Sequence, residues 1–223
     1  MGTSNWQHIS KSVEIIRQIG PKKVLDVGVG FGRWGMICRE FLDVWENRVK
    51  MDQWETEIDG VEIFEANIAS YHNLFYSKIH IGDAVDYVDK TDKHYDLIIL
   101  GDMVEHLEKT RAYQFIECCL DKTDFVLLNI PIGQNWDQAE AYDNPHERHL
   151  SNWTIKDFNK FKPLKIFKFR DYIYRSHVVM ILSRKHSKLP PNNLLRKLAS
   201  FHLERYPKAK QLVKSIAEKF NLI

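Results

Sequence analysis

Only three of the 223 residues are cysteines: Cys38, Cys118 and Cys119. Their spacing offers neither a disulfide framework nor a CxxC metal knuckle. No apolar run approaches the roughly eighteen residues of a membrane-spanning helix. Residues 1–12, MGTSNWQHISKS, contain no apolar stretch of the signal-peptide kind. These absences argue against a disulfide-stapled secreted scaffold and against a membrane span. They lead to the expectation of a cytoplasmic chain. No HExxH pair marks a helical zinc site, and no DNA-binding motif or aromatic-interleaved RNA patch accompanies the basic residues.

What is present suits one domain with a small appendage. The apolar fraction is 44%, ample for a core, and the net charge is +2. That small charge hides an asymmetry. Residues 184–223 carry ten Lys or Arg against two Glu, so the rest of the chain is acidic. A basic tail can attract phosphate or nucleic acid, or it can be the solvated face of packed helices. Apolar positions Leu194, Leu195, Leu198 and Phe201, then Leu212, Val213, Ile216 and Phe220, follow a three-four period. They predict two helices, 193–205 and 208–220. The domain reading is therefore 1–185 for the main unit and 186–223 for a basic helical extension, which serves as cover or as a homodimer surface.

Along the main unit, compact apolar runs alternate with helical patterns. Strands are expected at 23–27, 60–64, 77–81, 95–100 and 124–130. Helices are expected at 12–19, 32–41, 66–76, 83–88, 110–120 and 154–161, the last capped by Ser151 or Asn152. Two further runs, 164–169 and 177–182, leave room between them only for a hairpin. The sum is a doubly wound α/β domain with a mostly parallel seven-stranded sheet, closed by an antiparallel hairpin. Right-handed crossovers then place helices on both faces. The link 44–58 is long, and its Trp45 and Trp54 either anchor the loop or cover part of a pocket.

The segment 24–35, VLDVGVGFGRWG, carries the strongest chemical signal. An apolar strand ends, and Gly28, Gly30, Gly32 and Gly35 follow within eight residues. Such a turn lets a ligand approach bare backbone, and the helix after it offers unpaired N–H groups. The dinucleotide pattern GxGxxG would need glycine at position 33, where Arg33 stands. Asp26, an acid inside an apolar strand, needs partners. Those are the turn backbone or, indirectly, the ammonium of an amino-acid cofactor. Glu62 closes the second strand, where an acid can take ribose hydroxyls. Asp83 can accept an adenine amino group, or cap the following helix.

Taken in order, VLDVGVGFGRWG, GVEIFEANI, IGDA, YDLIILGDMVEHLEK and FVLLNIP resemble the successive segments of the class I S-adenosylmethionine-dependent methyltransferases. The resemblance covers residues 23–184 and implies a Rossmann-like fold with S-adenosylmethionine as cofactor. It implies that Asp26, Gly28, Val29 and Gly30 hold the methionine part. Glu62 would hold the ribose, Asp83 and Ala84 the adenine, and Gly101, Asp102 and Met103 the region beside the methyl group, with Ile63 counted among the cofactor contacts. The family's members that methylate base amines carry NPPY or DPPY after the fourth strand. Here GDMVEH stands instead, so DNA is not expected and RNA is a secondary alternative to a small-molecule acceptor.

Methyl transfer to oxygen calls for a base, and imidazole titrates near neutrality. His149 and His146 in NPHERHLSNW lead, with His106 third. A metal set drawn from Asp102, Asp137, His146, Glu147 and His149 lacks zinc-helix spacing, and no metal is expected. The function expected from the sequence is an S-adenosylmethionine-dependent methyltransferase acting on an oxygen of a small molecule. RNA or protein methylation, or a non-catalytic partner subunit, are the alternatives.

Overall fold

Alternating apolar side chains along the central strands build two cores, one on each face of a single sheet. The computed structural model describes residues 5–134, 136–184 and 188–190, with Lys208, Gln211 and Ser215 beyond them. The expected helix 193–205, the rest of the expected helix 208–220 and Asn135 lie outside the described residues. The elements are α1 (Ile9–Ile19), β1 (Lys23–Val27), α2 (Arg33–Leu42), β2 (Glu57–Glu62), β3 (Lys78–Ile81), α3 (Ala84–Lys90), β4 (Tyr95–Gly101), α4 (Lys109–Lys122), β5 (Thr123–Ile132), β6 (Lys165–Arg170) and β7 (Ser176–Leu182). The seven strands order as β3-β2-β1-β4-β5-β7-β6. β7 runs antiparallel to β5 and β6, and the other pairs are parallel. The topology is the doubly wound one expected.

Leu25, Val27, Ile98, Leu100 and Val126 face α3 and α4, where Val88, Phe115 and Ile116 complete one core. Val24, Leu97, Ile99 and Leu127 point the other way and meet Ile15, Ile16, Trp34 and Ile37 of α1 and α2. Period-two alternation in strands buried on both sides produces this division. No helix among the described residues is long and apolar enough to cross a membrane.

Three expectations need correction. β2 starts at Glu57 and ends at Glu62, earlier than 60–64. Asp59 disguised the strand, but its buried carboxylate is paired with Lys93 at 2.5 Å and with the Tyr95 hydroxyl at 3.0 Å. The expected α-helix 66–76 is two 3-10 segments, Glu65–Asn67 and Ser70–Leu74. Its Asn, Ser, His and Tyr residues have little helix propensity, and His72 and Tyr76 are drawn onto the glycine turn instead. The 154–161 helix is also 3-10 (Ile155–Phe161). Thr154 opens it, with Asp157 accepting from the Thr154 N–H at 2.7 Å, in place of a Ser151 or Asn152 cap.

Trp45 and Trp54 anchor the link and do not line the cleft. Trp45 packs against Phe41, ring centroids 5.4 Å apart, and Trp54 lies under the Arg39 guanidinium at 4.1 Å. Buried Asp43 ties that link together, accepting from Arg39 at 2.5 Å and Arg48 at 2.9 Å.

Close packing of α2 on the turn region gives a direct stability test. A Cβ added to Gly35 would lie 2.2 Å from Tyr76 Cζ. Gly35→Ala is expected to destabilise the fold by about 1–3 kcal/mol through overpacking. Chemical denaturation measures it, and an unchanged midpoint would contradict the contact.

Candidate functional site

The C-terminal ends of the parallel strands open into a cleft of about 770 Å³. This is where open α/β sheets place ligands. The glycine turn forms one wall. Gly28 has φ +79° and Gly32 φ +87°, a left-handed backbone that only glycine adopts without strain. The Gly28 N–H donates to the Val61 carbonyl at 2.9 Å, which locks the turn to β2. Glu62 fixes it further. One carboxylate oxygen accepts from the Gly30 N–H at 2.8 Å and the other from the Phe64 N–H at 2.9 Å. His72 Nε2 donates to the Gly30 carbonyl at 3.1 Å. Gly28, Val29, Gly30, Glu62 and Ile63 all line the cleft.

Asp26 does not line it. The side chain is fully buried beneath the turn. Tyr76 donates its hydroxyl hydrogen to Asp26 at 2.5 Å and receives the Gly35 N–H at 3.2 Å. Asp26 therefore supports the turn from below, through the Tyr76 hydroxyl that also holds the Gly35 N–H. Burial pushes its pKa up to about 8, against the opposing hydrogen bond from Tyr76.

At the other side of β2, Asp83 and Ala84 line the cleft with Gly82 and Val85. Asp83 caps α3, accepting from the Val85 N–H at 2.8 Å. Its second oxygen accepts from Arg111 at 2.8 Å. The helix-cap role is thus observed, at a position that also faces the cleft.

Gly101, Asp102 and Met103 form the floor at the end of β4. Asp102 has φ +52°, a left-handed conformation that Asp tolerates better than most residues. Its carboxylate accepts from His177 Nε2 at 2.6 Å. His8 stacks on His177, centroids 4.9 Å apart, and burial lowers its pKa to about 4. Sequence reasoning missed His8, His72, Tyr76 and His177. Each reaches the site from a distant segment, and no local motif marks it.

The three expected histidines do converge on the cleft. Nδ1 of His106 lies 3.1 Å from the Arg148 carbonyl, and Nδ1 of His149 lies 2.5 Å from that of Trp136. A carbonyl only accepts, so each Nδ1 carries the hydrogen and each Nε2 keeps its lone pair. The two rings meet edge to face at 4.9 Å. Burial holds both imidazoles below their ordinary pKa, assisted for His149 by His106. His146 is exposed on the same wall. Glu105 is buried beside them. Desolvation, and then the charge of Asp102, push its carboxyl well above the usual range.

No protein-family model matches the chain, and no curated protein matches its sequence. Solved structures do match in fold. A SAM-dependent methyltransferase from Archaeoglobus fulgidus superposes with TM-score 0.57 at 17% identity, over 79% of this chain and 91% of that one. The N-terminal domain of EvdMO1 with SAH bound gives 0.55 at 13%, over 81% and 82%. A putative O-methyltransferase from Klebsiella pneumoniae gives 0.52 at 9%, over 82% and 83%. Together with the strand order and the glycine turn, these similarities show that the chain has the Rossmann-like fold of the class I S-adenosylmethionine-dependent methyltransferases.

Proposed function

We propose that the chain is an S-adenosylmethionine-dependent methyltransferase that methylates an oxygen of a small molecule. The observation that carries this reading is the joining of two unlike ends in one cleft. One end has the glycine turn, Glu62 and Asp83; the other has three imidazoles. The volume, about 770 Å³, lies within the usual range for small-molecule sites. The donor set fits the cofactor. Glu62 is held rigidly by two backbone N–H groups and keeps lone pairs for a ribose diol. Gly28 and Gly30 present backbone that a side chain would cover. Ile63 and Ala84 offer apolar contact beside Asp83 for adenine, and Gly101–Met103 would border the methionine part.

The bound cofactor supplies a methyl group on a positively charged sulfur. What the protein adds is mainly alignment of the acceptor oxygen and a place for its proton. The oxygen lone pair forms the new bond to carbon while the carbon–sulfur pair stays on sulfur. The hydroxyl proton passes to a cleft imidazole. His149 leads, with His106 and His146 as the other candidates; in His149 and His106, Nδ1–H donation to a carbonyl leaves Nε2 able to accept.

Calorimetry with S-adenosylmethionine and with NAD tests the cofactor. Micromolar binding of the first is expected. Binding of NAD alone would reject the reading. Titration of the histidine rings by NMR tests the base chemistry. The neutral forms of His106 and His149 should persist below pH 6.5 because both pKa values are lowered from that value. A midpoint at or above 6.5 for His149 would remove the basis for its role.

A further inference from the structure

The acceptor end of the cleft contains more than proton transfer requires. Glu105, His106 and His149 each bring one ligand atom to within 4.8 Å of the other two. Glu105 and His106 sit on the 3-10 turn Val104–His106 after β4. His149 belongs to the loop after β5. Backbone bonds join the two segments: the Leu150 and Ser151 N–H groups both donate to the Glu105 carbonyl, at 2.8 and 3.1 Å. The trio is therefore positioned by the fold and not by chance approach of mobile side chains.

We propose that Glu105, His106 and His149 form a binding site for a first-row divalent transition-metal ion at the acceptor end of the cleft. Both rings set Nδ1 on a backbone carbonyl, as ligating histidines usually do, which makes Nε2 the nitrogen available to an ion. Glu105 Oε2 is buried and has no hydrogen-bond partner among the described residues. A carboxylate so placed is costly to leave uncompensated, and a cation compensates it. Two imidazoles with one carboxylate suit zinc, manganese or iron better than calcium or magnesium. Three protein ligands also leave coordination positions open. A second cluster, His8, Asp102 and His177, meets the same distance criterion. There, however, His177 already donates directly to Asp102 at 2.6 Å, which closes the space an ion would take.

This proposal departs from the sequence expectation of no metal, which weighed a different set of residues. Its chemical role rests on the methyl-transfer reading; its existence does not. An ion here would bind the acceptor oxygen and lower the pKa of its hydroxyl. With such an ion bound, the Nε2 lone pairs of His106 and His149 would be taken, and of the three candidate bases His146 would be the one left to receive the proton.

The full chain, stripped with a chelator, is titrated with Mn²⁺ and separately with Zn²⁺ by calorimetry, with Mn²⁺ also followed by electron paramagnetic resonance. One ion per chain is expected. Glu105→Gln and His149→Asn should each weaken it at least tenfold. S-adenosylhomocysteine binding, measured on the same samples, reports that the variants remain folded; if Glu105→Gln does not, His149→Asn on the loop decides. Absence of wild-type binding, or equal affinity in a folded variant, overturns the site. Metal binding that follows these expectations without any binding of S-adenosylhomocysteine by the wild type would keep the site and reject the methyl-transfer reading. In that case circular dichroism reports folding.

Discussion

Glu62→Ala is expected to weaken S-adenosylhomocysteine binding about a hundredfold or more, while the chain stays folded. Two effects act together. The first is loss of the carboxylate that would accept the ribose hydroxyls. Hydrogen bonds to a charged group contribute roughly 1.5–3 kcal/mol each, and about 1.4 kcal/mol is tenfold in affinity. The second effect is on the turn itself. Glu62 accepts the N–H groups of Gly30 and Phe64, so its removal frees the backbone that borders the cofactor. Glu62→Gln separates the two effects. It keeps one carbonyl oxygen for a backbone N–H and loses only part of the diol recognition, so an intermediate affinity is expected. Calorimetry provides the measurement. Wild-type affinity in Glu62→Ala would mean that the cofactor lies elsewhere.

The second large effect concerns Asp26. In the folded chain burial raises its pKa from 3.8 to about 8. The native state therefore keeps a proton that the unfolded state releases. Stability from this group is complete below pH 3.8 and declines as pH rises, until the native carboxyl itself ionises near pH 8. His8 acts in the opposite sense. Its pKa falls from 6.5 to about 4, so stability from that group increases from pH 4 to 6.5 and is then constant. Between pH 6.5 and 8 the Asp26 contribution is no longer masked by His8. The loss across that window is on the order of 2 kcal/mol, at about 1.4 kcal/mol for each pH unit. Glu105 shifts in the same direction, so the comparison must be with Asp26→Asn. Its amide oxygen can still accept from Tyr76, but it has no proton to lose. Denaturation curves at pH 6.5 and 8 should show the wild type losing stability relative to the variant. Parallel behaviour of the two proteins would contradict the buried, proton-retaining carboxyl.

Asp26 also shows how far the linear chain can be read. An acid inside the run 24–27 plainly demanded partners, and the turn was one of the options. That the partner is a hydroxyl fifty residues away was not legible. Residues 66–76 were expected to form a helix. Their actual course is set by His72 reaching the Gly30 carbonyl and Tyr76 reaching Asp26. Asp59 hid the start of β2 because a lone acid reads as a strand end, whereas Lys93 and Tyr95 make it acceptable inside the sheet. The three cleft histidines were visible as residue types after the strand ends. Their tautomers were not, because these depend on which backbone carbonyls the loop at 133–152 brings to Nδ1.

The sequence by itself determined the alternation of strands and helices, the glycine turn after Lys23–Val27, the acid at the tip of β2 and the closing hairpin. These rest on short-range rules: period-two burial, positive φ at glycine, and runs too close together to hold a helix. Tertiary structure alone decided that Asp26 lies below the cleft, that His177 bonds Asp102, and that the Glu105–His106 turn meets the loop of His149. Those contacts join segments more than forty residues apart. Only sheet register and loop packing bring such side chains together, and neither leaves a periodic or contiguous mark along the chain.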